Sequence, residues 1–195
     1  AWMMGASGLV LQQIHGGGFA GYVRGDTYLE TDCQLFCNRL YGAGLGAMPY
    51  GDFTDGSGVD FGKVGGKAKV FVKSGIFGSD VFGGGAGIES VWKDGRFVDF
   101  PDMARVGQTA VHIYGRPFTF QNNLGRIERT RIYGNVYGGG DAANVGRTKA
   151  EPAEFSRTDY TQLANYATLV NVRGGALMSS VFAGGKGRLK AACGD

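Results

Sequence analysis

Ile132–Asp141 has the sequence IYGNVYGGGD, in which each of two apolar pairs is followed by glycine. This pattern predicts two short strands separated by corners, because glycine takes φ > 0 without steric cost and lets another backbone approach closely. The pattern recurs, in more or less degenerate form, at Val10–Gly18, Leu35–Gly44, Ile76–Gly85 and Leu177–Gly185. The chain is therefore a repeat protein.

A second motif alternates with the first. Val106–Gly115 reads VGQTAVHIYG, a turn followed by alternating apolar and polar residues, which is the signal of a half-buried strand. The alternation predicts Val111 in the core and His112 on the outward face, and we expect Val136 of the first motif to join Val111. Related stretches are Val23–Thr31, Val64–Val72 and Thr168–Gly174.

The spacing of the glycine triplets decides the fold class. Their first positions are Gly16, Gly42, Gly83, Gly138 and Ala183, at intervals of 26, 41, 55 and 45 residues. Units of this size indicate a solenoid or a propeller, but propeller blades need four strands of comparable length. Very short strands and unequal intervals favour an all-β fold, a parallel β-solenoid (β-helix) with Gly-rich corners and looped insertions. We expect one domain over residues 1–195, as a segment of a longer repeat array.

The units differ in four insertions, which are Leu45–Lys63, Ala86–Arg105, Arg116–Arg129 and Lys149–Ala167. Pro152 in the last insertion predicts the start of a short helix. Insertions in a solenoid loop out of the coil, and the face that carries them is usually the working one.

The two motifs together resemble the Gly-rich repeat proteins on the surface of gut Bacteroidota, whose repeats read like the strings VYGGG and VGxTxVxI. The resemblance rests on Gly83–Gly85, Gly138–Gly140, Val64–Val72 and Val106–Ile113. Such proteins are similar to autotransporter passengers and surface adhesins in being extracellular β-solenoids. The resemblance implies a location at the bacterial cell surface and an architecture, and it brings no catalytic residues.

Composition excludes several classes of protein. Glycine makes up 37 of 195 residues, against a usual share of about 7%. With 43% hydrophobic residues, 12% aromatic residues and only four prolines, the chain is neither collagen nor a disordered linker. The net charge is only +3, with acids and bases interspersed, so we expect no nucleic-acid partner. No apolar run is long enough to span a membrane, so we expect no membrane insertion.

The cysteines show no metal or redox spacing. In an extended strand Cys33 and Cys37 would lie about 13 Å apart, which is too far for a disulfide without a bend. We expect buried free thiols.

Outward aromatic residues are the most promising binding feature. Tyr28, Phe36, Phe71 and Tyr114 lie on the strand face opposite the core residues. A row of such rings would bind flat sugar faces or pack against a neighbouring chain. The alternative is that the rings cover coil edges beneath the insertions.

Two further motifs have simpler explanations. Asp52, Asp55 and Asp60 have the oxygen ligands of a calcium loop, but their spacing is irregular and no bidentate Glu follows, which favours a solvated loop and no metal. Arg24–Asp26 spells the RGD adhesion tripeptide, but Gly25 falls where the repeat needs a turn.

No constellation of residues predicts catalysis, and no cofactor is expected. The available acids are Asp99, Asp102, Asp141, Glu151, Glu154 and Asp159, yet none is spaced for the paired work of a glycosidase. His15 occupies the aromatic position of the repeat, so packing explains it. The leading hypothesis is a non-catalytic structural or adhesive segment. The rival is a carbohydrate-active β-solenoid enzyme, a polysaccharide lyase or glycosidase.

Solenoid ends expose unpaired strand edges. We therefore expect neighbouring copies or further repeats to contact this chain end to end, as in a filament. Glycans or a host surface are the other expected partners.

Overall fold

The computed structural model describes residues 9–33, 35–47, 59–115, 130–146 and 167–187. These residues form strands and no helix, which confirms the all-β prediction for the part of the chain that is described. The first sheet contains β1 (Leu9–His15), β3 (Leu35–Tyr41), β5 (Gly75–Phe77), β6 (Val81–Phe82), β10 (Thr130–Ile132), β11 (Val136–Tyr137), β13 (Ala176–Leu177) and β14 (Val181–Phe182). The second sheet contains β2 (Thr27–Thr31), β4 (Val64–Val72), β9 (Val106–Ile113) and β12 (Thr168–Val172).

Parallel pairing places the copies of the first motif side by side. The first half of β3 pairs with β5 and its second half with β6, so that Tyr41 lies opposite Phe82. The same pairing continues from β5 and β6 to β10 and β11, and from those to β13 and β14. Each copy of the motif thus adds one layer to the first sheet.

The second sheet repeats this arrangement with the second motif. Leu29, Val70, Val111 and Val170 lie side by side across β2, β4, β9 and β12, which all run parallel. Isolated parallel bridges continue the same order outside the named strands. Phe19, Leu45, Ala86, Asp141 and Lys186 form one line, and Val23 and Val145 extend the β4–β9 pair of Val64 and Val106 into another.

The core lies between the inward faces of the two sheets. Val111 from the second sheet and Val136 from the first are both almost completely buried and belong to one hydrophobic cluster. Their predicted facing is therefore confirmed. Burying a Val side chain stabilises a fold by roughly 1.5–3 kcal/mol, so the repeated inward positions hold the layers together.

A second line of contacts is aromatic. The residue just before each glycine triplet stacks on its equivalent in the next layer, with ring centroids 4.7, 4.9, 4.9 and 5.1 Å apart. The ladder consists of His15, Tyr41, Phe82, Tyr137 and Phe182. We call it the buried ladder after its three buried middle rings, although the last ring, Phe182, is 45% exposed. The prediction that packing explains His15 is confirmed, because its ring lies nearly parallel to that of Tyr41.

The first glycine of each triplet is required by the closeness of the layers. A Cβ atom on Gly42 would lie 2.3 Å from the carbonyl oxygen of Gly83, and one on Gly83 would lie 2.4 Å from that of Gly138. Gly138 stands in the same relation to the carbonyl oxygen of Ala183, at 2.3 Å. Ala183 breaks the series in the last copy, where the residue is exposed.

One insertion forms structure of its own. Within Ala86–Arg105, β7 (Val91–Lys93) and β8 (Arg96–Val98) form an antiparallel hairpin. Phe100 and Met103 follow it and are buried in a small separate cluster. Most of the Leu45–Lys63 and Lys149–Ala167 insertions, all of Arg116–Arg129 and the helix expected at Pro152 lie outside the described residues.

The prediction for the cysteines is half right. Cys37 is a buried free thiol, as expected, because its side chain points inward from β3. Cys33 is also free but exposed, since it lies beyond the end of β2 and not in a strand. Cys193 lies outside the described residues.

Candidate aromatic and charged surface

The outward face of the second sheet brings together three of the four predicted aromatic residues. Strand alternation turns Tyr28 and Phe71 away from the core, and Tyr114 directly follows β9. The rings of Tyr28 and Phe71 lie 5.1 Å apart, and the Phe71 ring stacks on His112 at 4.8 Å. His112 in turn lies 6.3 Å from Tyr114. These four residues form the outward aromatic patch.

The sequence missed the part that His112 plays. Its outward facing was expected, but its ring takes the position between Phe71 and Tyr114. Burial lowers the pKa of His112, and the nearby Arg173 and Lys67 charges lower it further. The imidazole is therefore neutral at pH 7 and packs as an aromatic ring. The available signal was the aromatic residue Phe71, which occupies the position in β4 that aligns with His112 in β9.

Phe36 is not part of the patch. It lies on the outward face of β3 in the first sheet, opposite Ile76 of β5, and is 46% exposed. The prediction grouped it with Tyr28, Phe71 and Tyr114 because facing alone does not say which sheet a strand joins.

An ion pair borders the patch at Tyr28. The Lys73 ammonium lies 2.7 Å from a carboxylate oxygen of Glu30, and the Tyr28 hydroxyl donates a hydrogen bond to the other oxygen of that carboxylate. The Lys73 and Tyr28 donors lower the pKa of Glu30, and the Glu30 carboxylate raises the pKa of Lys73. Both groups are charged over the physiological range and hold the Tyr28 ring in place.

A cation lies at the other end of the patch. The guanidinium of Arg173, which follows β12, lies over the Tyr114 ring at 6.0 Å from its centroid. Attraction between a cation and the negative ring face favours this geometry.

The Asp of the RGD tripeptide forms its contacts within the second sheet. Asp26 pairs with the Lys69 ammonium at 2.8 Å and accepts a hydrogen bond from the Lys67 backbone N–H at 2.9 Å. These bonds lower the pKa of Asp26, the Lys69 side chain contributing most. The carboxylate that a receptor would read is thus engaged by the neighbouring strand.

The calcium candidates are only partly described. Asp52 and Asp55 lie outside the described residues, and Asp60 forms a surface contact with Lys63 at 4.0 Å. Within the described ranges, no group of three His, Cys, Asp or Glu side chains is arranged to hold a metal ion.

The acids of the hairpin insertion have partners. Asp99 accepts a hydrogen bond from the Ser90 hydroxyl, and Asp102 pairs with Arg105 at 3.1 Å. Arg105 is largely buried and also donates to the carbonyl oxygen of Gly146 at 2.8 Å. These contacts fasten the insertion to the layers.

A buried acid is the polar feature that the sequence did not reveal. Asp80 is buried, lies 2.9 Å from the Lys186 ammonium and accepts the Asn135 backbone N–H at 2.8 Å. Burial alone would raise the pKa of Asp80, but the Asn135 and Lys186 donors lower it overall. The nearby Asp141 is buried too and accepts a hydrogen bond from the Tyr41 hydroxyl at 3.3 Å. The pairing of Asp80 with Lys186 spans 106 residues, so spacing gave no signal.

Comparisons with known proteins found no relative. No protein-family model, curated protein or solved structure matches the chain. The described part of the chain also contains no helix that could span a membrane.

Proposed function

We propose that the parallel layers form one β-solenoid, and that this solenoid is a non-catalytic structural or adhesive segment of an extracellular bacterial surface protein. One observation carries the proposal: all copies of each motif contribute equivalent residues to the same columns of contacts. The inner columns of Val70, Val111 and Val170 and the buried ladder support an extended scaffold. The resemblance of the repeats to those of gut Bacteroidota surface proteins supports the location.

The outward aromatic patch supports the adhesive part of the proposal. Tyr28 is 63% exposed on the edge strand of the second sheet, and charged side chains surround it. Large exposed rings beside charges are typical of surfaces that contact a partner. Glycans or a host surface are the partners that we propose for it.

The engagement of the acids supports a role without catalysis. Asp99, Asp102 and Asp141 all accept hydrogen bonds or ion pairs from neighbouring side chains. A glycosidase needs two carboxyl groups that face a sugar across an open cleft. The rival remains a carbohydrate-active enzyme with its site among Ala86–Arg105 and Arg116–Arg129.

A panel of plant and host glycans tests the function. The protein is incubated with each immobilised glycan, and both retention and new reducing or unsaturated ends are measured. We expect retention without new ends. Turnover that Asp99→Asn or Asp102→Asn abolishes would establish the enzyme instead, and retention on none of the surfaces would contradict the adhesive part.

Exposed apolar residues support a partner at the ends of the stack. Apart from Tyr28 of the outward aromatic patch, the described residues include eleven large exposed hydrophobic side chains, and eight of these lie on or beside the outermost strands of the two sheets. They are Leu9, Val10, Phe19 and Tyr22 at the first layer, and Val172, Met178, Val181 and Phe182 at the last. We propose that a neighbouring copy or a further repeat covers these edges.

Ala183 bears on which edge is covered. A Cβ atom at the equivalent Gly138 would lie 2.3 Å from the carbonyl oxygen of the following layer, so another layer in the same register would meet the Ala183 methyl group. We propose that the first layer, where Val10 is 68% exposed, takes the partner.

Sedimentation at micromolar concentration tests this contact. Val10→Lys places a charge on the outermost strand and should abolish self-association. Tyr133→Lys changes an exposed residue of an inner layer and should leave it unchanged. If the two variants change self-association equally, the first layer is not the contact.

A further inference from the structure

We infer that the outward aromatic patch and its cations bind a polysaccharide that carries carboxylates, such as a chain of uronate sugars. This inference rests on the adhesive function proposed above and names the chemical class of its partner. The surface in question is the outward face of β2, β4, β9 and β12, with Arg173 beside β12.

The charges of this face are unbalanced. Its described charged residues are Asp26, Glu30, Asp32, Lys67, Lys69, Lys73 and Arg173. Lys69 and Lys73 form ion pairs of 2.8 and 2.7 Å with Asp26 and Glu30, and Asp32 lies near Lys73. Among the described residues Lys67 and Arg173 form no ion pair, and the four cations of this face outnumber its three acids by one.

Arg173 is positioned to bind a carboxylate. Its side chain is exposed, and contact with the Tyr114 ring orients the guanidinium without using its hydrogen-bond donors on another acid. A planar guanidinium donates two parallel hydrogen bonds to one carboxylate, which is stronger and more directional than a contact with a neutral hydroxyl. A uronate sugar supplies one carboxylate per ring.

The rings limit how a sugar can lie. Phe71 and His112 stack with an interplanar angle of 8°, so each covers a face of the other and presents its edge to solvent. Tyr28 at the end of the patch is the most exposed ring and offers apolar surface to the C–H groups of a sugar. Its hydroxyl is already bonded to Glu30.

The distance between Tyr28 and Arg173 selects a chain over a single sugar. β2 and β12 are separated by three strand spacings, which is about 14 Å at the usual spacing in a sheet. A single sugar ring does not span this distance. An oligosaccharide that crosses the strands would contact Tyr28 at one end and Arg173 at the other.

Binding of three probes to the whole chain tests the inference. The probes are an oligogalacturonate, a neutral galactan oligomer of the same length and a single-stranded DNA of similar charge, each measured by calorimetry. We expect the oligogalacturonate to bind about tenfold more tightly than the galactan, because only the former pairs with a guanidinium. The DNA should bind more weakly than the oligogalacturonate, because its charged groups are not arranged to contact Arg173 and the aromatic rings together.

Matched variants locate the contact. Arg173→Gln should weaken oligogalacturonate binding about tenfold, and Tyr28→Ala about threefold. Arg131→Gln and Tyr133→Ala remove an exposed cation and an exposed ring from the first sheet and should change nothing. All four positions are exposed, so thermal melts should confirm that each variant folds.

Each other outcome overturns the inference in a distinct way. Equal binding of galactan and oligogalacturonate, unaffected by Arg173→Gln, would leave the adhesive function intact but remove its preference for acidic chains. DNA binding as tight as that of oligogalacturonate would mean that any polyanion suffices. Binding of no probe, together with retention on none of the glycan panel, would overturn both the inference and the adhesive function.

Discussion

The protein contains two aromatic stacks that differ in regularity. In the buried ladder the ring centroids are 4.7–5.1 Å apart and no interplanar angle exceeds 12°. In the outward aromatic patch the separations run from 4.8 to 6.3 Å, and Tyr28 is tilted by 33° from Phe71. Both stacks cross parallel strands, so strand pairing alone does not explain the difference.

The difference follows from what lies around each stack. Every ring of the buried ladder comes from the same position of its repeat, just before the glycine corner, and Phe82 in its middle is completely buried. The outward patch takes Tyr28 from a position two residues before the one that aligns with Phe71. Water on its open side tolerates a tilted ring, whereas the close-packed interior does not.

The comparison teaches which stack holds the fold and which is free to serve a partner. The buried ladder repeats one aromatic residue per layer because any gap there would leave a cavity. On the outward face the register column of Phe71 contains Glu30, His112 and Asn171, four different residue types. Such variety is typical of a surface on which packing does not dictate the side chain.

The largest expected effect separates the two stacks by stability. Phe82→Ala removes a buried ring with neighbours on both faces and should lower the free energy of unfolding by about 4 kcal/mol. Phe71→Ala removes the equivalent central ring of the outward patch and should cost about 1 kcal/mol. Urea denaturation of the two variants and the unchanged chain measures both values.

Similar losses in the two variants would break the comparison. A large loss for Phe71→Ala would mean that the outward patch is packed beneath other parts of the chain and is not available to a partner. Loss of oligogalacturonate binding in Phe71→Ala without much loss of stability would sharpen the comparison instead.

A smaller effect concerns pH and His112. Burial, Arg173 and Lys67 lower the pKa of His112 in the folded state, so the unfolded chain binds a proton more readily. The stabilising effect of the neutral ring is present above the unfolded pKa of about 6.5 and is lost as the pH falls below it. His112→Phe should therefore lose less stability than the unchanged chain between about pH 7.5 and 5.5.

His15→Phe is the matched variant for this measurement. The pKa of His15 is also lowered, by burial in the ladder, and the same sign applies. Urea midpoints at a series of pH values give the slopes, and each variant should flatten the slope in part. A slope that His112→Phe leaves unchanged would show that the ring is not held neutral by its surroundings.

Because the two motifs repeat, the sequence predicted much of the structure within each layer. The periods of the two motifs predicted an all-β chain, the inward facing of Val111 and Val136 and the packing of His15. These features depend on local alternation and on one residue type at one position of each repeat. Phe36 faces outward in a different sheet from Tyr28, which the sequence did not reveal because alternation gives the facing of a strand but not the sheet that it joins.

Sequence by itself determined that short strands and glycine corners repeat, because each copy must bury the same apolar positions against its neighbours. Only the tertiary structure decided which residues from distant copies meet. Stacked parallel strands bring Phe71 beside His112 and Lys186 beside Asp80, contacts that span 41 and 106 residues. Side-chain pairing across such distances depends on strand register and on the length of each insertion, and no local pattern carries that information.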